Sequence, residues 1–128
     1  MRLLLDTNIF LRMMLDETLL TPTAKAAIAD HNNEVYVSAV CAWEIAIKMA
    51  IGKLRLADPI EFFMSEGMRN AKAIELPIRT VHTVRVASFP LYHRDPFDRL
   101  LMAQALVESL TIVTSDRQFA SYGLPIVW

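Results

Sequence analysis

Three short apolar runs, RLLL at 2–5, EVYVS at 34–38 and LTIVTS at 110–115, each precede a stretch with helical or turn character. That alternation constrains the fold more than any other feature of the chain. The second and third runs are rich in β-branched or aromatic residues, and all three read as strands buried on both faces. IFLRMML follows the first, AVCAWEIAIKMAIGKL, ending near Gly52, follows the second, and a short turn, DRQFASYG, follows the third. Further helices are expected at about 22–31, 58–71, 79–88 and 96–108, and lesser strands at 73–78 and 124–128. Strands alternating with helices predict an α/β fold: a mainly parallel central sheet of about four to five strands with helices packed on each side. In open sheets of this kind, ligands bind beyond the carboxyl ends of the strands.

The 128 residues suit a single domain, 1–128, and with 54% hydrophobic residues they supply a substantial core. A formal net charge of −1 gives no global field that would draw the protein onto a polyanion, so any nucleic acid has to be held locally. Cys41 is the single cysteine, which excludes an intramolecular disulfide and reads as a buried thiol of an intracellular protein. MRLLLD reaches a charge after three apolar residues, too few for a signal peptide, and no run approaches a membrane span. A cytoplasmic location without membrane contact is the expectation.

The ligand-edge rule makes the acids informative. Asp6 closes the first strand, Asp116 closes the last of the three runs, and Glu44 lies six residues beyond Ser38. Asp98 falls in the first turn of the helix that Asp95 and Pro96 open, with Asp95 as N-cap and Pro96 as first helical residue. Each acid has a plain alternative: a helix cap for Asp6, Asp98 and Asp116, and an ion pair with Lys48 for Glu44. Four acids at one edge, however, would repel one another unless a cation sat among them. Carboxylate oxygens suit Mg²⁺ or Mn²⁺, and His31, His82 and His93 stand too far apart in sequence for a zinc site. His31 reads as a helix end and His82 as a helix face, while His93 falls at the rim of the acids or serves structure. A carboxylate cage around Mg²⁺ is machinery for hydrolysing a phosphodiester. The chain has no glycine-rich phosphate loop or G-x-S-x-G elbow to suggest another chemistry.

LLLDTNIFL, SAVCAWEIAIKMAIGKL, HRDPFDRLLMAQAL and TIVTSDRQF, in that order, resemble the motifs of PIN-domain ribonucleases, and most of all VapC-like toxins of toxin–antitoxin pairs. The resemblance spans residues 1 to about 127. It implies a PIN-like three-layer α/β/α sandwich and a Mg²⁺- or Mn²⁺-dependent endoribonuclease that blocks translation by cleaving tRNA or rRNA. Asp6, Glu44, Asp98 and Asp116 match the catalytic and metal-binding acids of the four motifs, with Asp116 the least direct ligand. Family likeness also implies a homodimer and a cognate antitoxin protein, with IEFFMSEGM as candidate partner surface or plain core. Thr7, Asn8 and Ser115 are candidates for a supporting layer, and Lys48, Arg94, Arg99 and Arg117 for contacts to RNA phosphates. Trp43, inside AWEIAI, reads as core.

Two other readings compete. A receiver-like signalling module would also hold Mg²⁺, but it wants paired acids after the first strand where this chain has Thr7 and Asn8. A non-catalytic PIN domain could keep the cage merely to bind RNA or a partner.

Overall fold

A computed structural model describes residues 1–128. Five strands, β1 (Arg2–Leu5), β2 (Glu34–Ser38), β3 (Ile74–Leu76), β4 (Thr111–Val113) and β5 (Ile126–Val127), form one sheet in the order β3-β2-β1-β4-β5. Every neighbouring pair is parallel. Helices flank it: α1 (Thr7–Leu15), α2 (Pro22–Ala29), α3 (Ala39–Ala50), α4 (Ile60–Asn70), α5 (Thr80–Arg85) and α6 (Pro96–Glu108). Short 3-10 turns occupy Glu17–Leu19, Val86–Ser88 and Arg117–Tyr122. No helix is long and apolar enough to cross a membrane.

The apolar runs explain the order of burial. Leu3, Leu4 and Leu5 are all fully buried, so β1 is covered on both faces and sits at the centre of the sheet. The chain adds β2 and β3 on one side of β1, then crosses back to add β4 and β5 on the other. The gap between β1 and β4 is therefore a switch point, where adjacent connections leave in opposite directions and open a crevice. Asp6 continues the ladder there, its N–H donating to the Val113 carbonyl at 3.1 Å.

Element ends follow local chemistry. The helix expected to run to about Gly52 stops at Ala50, because Gly52 takes φ 76°, the left-handed conformation that closes a helix. The one expected from residue 58 starts at Ile60 because Pro59 is extended (φ −56°, ψ 145°). The stretch at 79–88 divides into α5 and a 3-10 turn. Ser38 ends β2 and caps α3 at once, its hydroxyl accepting the Val40 N–H at 3.0 Å, and this fixes how α3 leaves the sheet.

IEFFMSEGM is mostly a core element. Phe63 and Gly67 face inward on α4, while Phe62 is half-exposed. Phe63 meets Phe10 edge-on at 5.8 Å, and a Cβ on Gly67 would come within 2.1 Å of Phe10 Cζ. Gly67→Ala is therefore expected to destabilise the protein by about 1–3 kcal/mol, read from the midpoint of urea unfolding with an unchanged slope.

Candidate active site

The crevice beside β1 gathers the acids singled out by the sequence. Asp6 occupies the N-cap position of α1, yet its side chain makes no capping bond. It turns towards β4 instead, where Oδ2 accepts the Thr114 hydroxyl at 2.7 Å. Its bond of clear geometry thus runs to β4 rather than to the helix it precedes. Thr114 is fully buried, and its Oγ1 also accepts the Asp116 N–H at 3.0 Å, so one hydroxyl ties the ends of β1 and β4 together.

Glu44 lies on the inward face of α3 with Val40, Cys41 and Ile45. It is 4% exposed; Oε2 pairs with Lys48, while Oε1 is buried and has no hydrogen-bond partner. On α6, Asp95 Oδ1 accepts the N–H groups of Phe97 (2.9 Å) and Asp98 (3.1 Å). This cap fixes the first turn, leaving Asp98 free of capping duty. Asp116 does cap, with Oδ1 accepting the Gln118 N–H at 2.9 Å. Its other oxygen, Oδ2, lies 3.0 Å from His93 Nε2, and Asp98 Oδ2 lies 3.0 Å from that same nitrogen. Ligand atoms of His93, Asp98 and Asp116 all fall within 4.8 Å of one another.

The acids feel each other. Burial, then the charges of Asp6, Asp95, Glu44 and Asp116, push the Asp98 carboxyl up to about 8. Burial also raises Asp6; the Thr114 hydroxyl works against that shift, and the charges of Glu44 and Asp116 add to it. Burial alone would lower the Lys48 ammonium, but its hydrogen bond and charge pairing with Glu44, together with Asp95 and Asp98, raise it. Lys48 thus serves as a local counter-charge. Burial pushes the free Cys41 thiol up to about 12, which leaves it inert beneath α3.

The donor set fits a divalent cation. An orphaned, fully buried carboxylate oxygen on Glu44 is costly unless something positive meets it, and all four acids offer hard oxygen ligands. Asp6, Glu44 and Asp98 are the residues that could hold the ion, while both oxygens of Asp116 already have partners.

The candidate supporting and RNA-contact positions divide. Thr7 is buried beneath the first turn of α1 and Asn8 is exposed. Ser115 does not serve the acids; its hydroxyl accepts from Arg12 Nη1 at 3.2 Å, and Thr114 takes the expected role. Arg94 and Arg117 are exposed beside the site, as an RNA contact requires. Arg99 is not available for that task. It is 9% exposed, and its terminal nitrogens donate to the carbonyls of Pro90 (3.0 Å), His93 (3.1 Å), Val86 and Phe89 (both 3.3 Å).

Trp43 is likewise not core: it is 47% exposed and meets Phe97 edge-on at 4.7 Å. His31 is exposed just beyond α2. His82 is fully buried, accepting the Arg79 N–H at 2.9 Å and lying 2.9 Å from Glu108. Two concave regions of about 400 and 410 Å³ lie elsewhere, around α2 and Asn70, and no acid of the site lines either one. An open, acidic strand edge suits a polymer laid across it better than an enclosed small molecule.

Comparison with known proteins agrees with the motif order. The PIN domain family pattern matches residues 3–124. Ribonuclease VapC22 of Mycobacterium tuberculosis is 26% identical over 122 residues, covering 95% of this chain and 92% of its own. Ribonuclease VapC16 of the same organism is 34% identical over 59 residues, which is 46% of this chain and 42% of its own. Among solved structures, VapBC2 from Rickettsia felis, bound to a DNA fragment from its promoter, superposes with a TM-score of 0.74 at 15% identity, covering 98% and 97% of the two chains. FitAcB from Neisseria gonorrhoeae superposes with a TM-score of 0.59 at 19% identity, covering 97% and 95%.

Proposed function

The chain belongs to the PIN-domain family, and from that premise we propose that it is a divalent-metal-dependent endoribonuclease, the toxin of a toxin–antitoxin pair. The observation that carries the reading is the buried, partnerless Glu44 Oε1 at the strand edge where Asp6, Asp98 and Asp116 converge. The ribonuclease names of VapC22 and VapC16 support it.

A bound Mg²⁺ or Mn²⁺ supplies positive charge that polarises the phosphoryl group and lowers the pKa of water. The chain's residues do the rest. Asp6, Glu44 and Asp98 would hold the ion; Thr114 orients Asp6, and Lys48 pairs with Glu44. Asp116 shapes the far wall by holding the 117–122 turn and His93. Exposed Arg94 and Arg117 meet RNA phosphates, which answers the neutral net charge locally. The substrate is cellular RNA, tRNA or rRNA, whose cleavage blocks translation in the cytoplasm. A small antitoxin is the cognate partner and a homodimer the working form, with the exposed apolar residues Val84, Leu91 and Tyr92 as partner surface.

Purified protein incubated with total RNA tests the reading. Cleavage is expected with Mn²⁺ or Mg²⁺, absent in EDTA, and reduced at least about 100-fold by Asp6→Asn in a protein with an unchanged circular dichroism spectrum. Cleavage that persists in EDTA or survives the substitution contradicts it.

A further inference from the structure

His93 carries more than a rim position requires, and its hydrogen-bond pattern has an unusual polarity. Nδ1 accepts the backbone N–H of Asp95 at 3.2 Å, so the ring's hydrogen resides on Nε2. That N–H donates to Asp116 Oδ2 at 3.0 Å, and Asp98 Oδ2 lies at the same distance from Nε2 but off the line of a hydrogen bond. A histidine that ligates a metal normally donates its other ring N–H to a carbonyl or carboxylate, which leaves the ligating nitrogen bare. Here the other nitrogen meets a donor, and the nitrogen that faces the acids carries the hydrogen. Ligation through Nε2 would move that hydrogen to Nδ1, against the Asp95 N–H, and would cost the hydrogen bond that holds the α6 cap residue.

Resting on the metal-centre reading above, we propose that His93 is a positioning residue: its Nε2–H holds the Asp116 carboxylate and sets a partial positive charge beside Asp98, without ligating the metal. The placement is built from all sides. The ring stands edge-on to Phe119 at 6.0 Å, the His93 N–H donates to Tyr122 Oη at 2.7 Å, and its carbonyl accepts from Arg99. That N–H between Asp98 Oδ2 and Asp116 Oδ2 offsets their repulsion, and the Asp98 carboxylate keeps its oxygens for a cation. Asp116, with one oxygen on Gln118 N–H and the other on His93, acts on the metal through His93 and Asp98.

Mn²⁺ bound to the purified full chain tests this by electron paramagnetic resonance. Electron spin-echo modulation of the wild-type complex should show no imidazole nitrogen coupled to Mn²⁺; such a coupling would make His93 a ligand and overturn the proposal without needing any variant to fold. In Mn²⁺ titrations, His93→Ala should weaken binding about 10–100-fold. His93→Gln, whose amide can place an N–H where Nε2–H stands, should stay within a few-fold of wild type. Unchanged affinity in His93→Ala, or equal losses in both variants, would also overturn it. If the wild-type protein binds no Mn²⁺, the metal-centre reading itself fails, an outcome separate from these.

Discussion

Asp98→Asn is expected to cut RNA cleavage by about 100–1,000-fold and, in metal-free buffer at neutral pH, to make the protein more stable. The two effects share a cause. Burial and the charges of Asp6, Asp95, Glu44 and Asp116 push the Asp98 carboxyl from 3.8 to about 8. Between those pH values the unfolded chain has lost a proton that the folded protein keeps, so the stability of the metal-free protein falls as pH rises from about 4 to about 8. Asparagine removes that liability. Allowing for solvent screening of this partly exposed side chain, the gain at pH 7–8 is on the order of 2 kcal/mol, or roughly 5–10 °C in Tm, and it vanishes near pH 4.

Divalent metal reverses the ranking. An ion that binds only the folded state stabilises it by about 2.7 kcal/mol at one hundred times its Kd, and only the wild-type site should gain this. Binding must displace the proton on Asp98, so metal affinity should fall as pH drops below about 8. Thermal unfolding from pH 4 to 8.5, in EDTA and in Mn²⁺, checks all of this. A lower Tm for Asp98→Asn in EDTA at pH 7 would show that repulsion is not what the acids feel.

The second large effect is structural. Arg99→Ala is expected to destabilise the protein by roughly 3 kcal/mol, because the carbonyls of Phe89 and His93 lose their donor, and those of Val86 and Pro90 keep only the Phe89 N–H and the Tyr122 hydroxyl. Arg99→Lys should not rescue it, since a single ammonium cannot replace a planar fork that reaches two pairs of carbonyls. The same segment carries His93, so Mn²⁺ affinity should fall with stability in both variants. Urea unfolding and a Mn²⁺ titration on the same samples provide the check; a change under about 0.5 kcal/mol with normal affinity would show that Arg99 does not organise the segment.

The sheet was legible because its signal is local. Leu3–Leu5 declare a strand buried on both faces, Val35 and Val37 mark the buried face of its neighbour, and Asp6 at a strand end inherits its place from them. Asp95 and Asp98 were separable because capping chemistry has a fixed spacing. What escaped depends on contacts distant in sequence. Arg99 reads as a solvated cation until the segment before α6 folds back over it. His93 reads as a rim residue until Asp116, 23 positions on, is brought alongside. Trp43 was hidden by its apolar neighbours: the buried face of α3 is Val40, Cys41, Glu44 and Ile45, and position 43 falls off it. Ser115 and Thr114 were not distinguishable by type, and the turn after β4 directs only Thr114 towards Asp6.

Four acids made to share an edge, with one lysine as counter-charge, imply an ion between them. Anomalous diffraction from a Mn²⁺-soaked crystal tests that claim most directly. The expected result is a manganese peak about 2.0–2.3 Å from carboxylate oxygens of Asp6 and Asp98, with Glu44 bound directly or through water. A peak elsewhere, or none at a Mn²⁺ concentration that supports RNA cleavage, would contradict it.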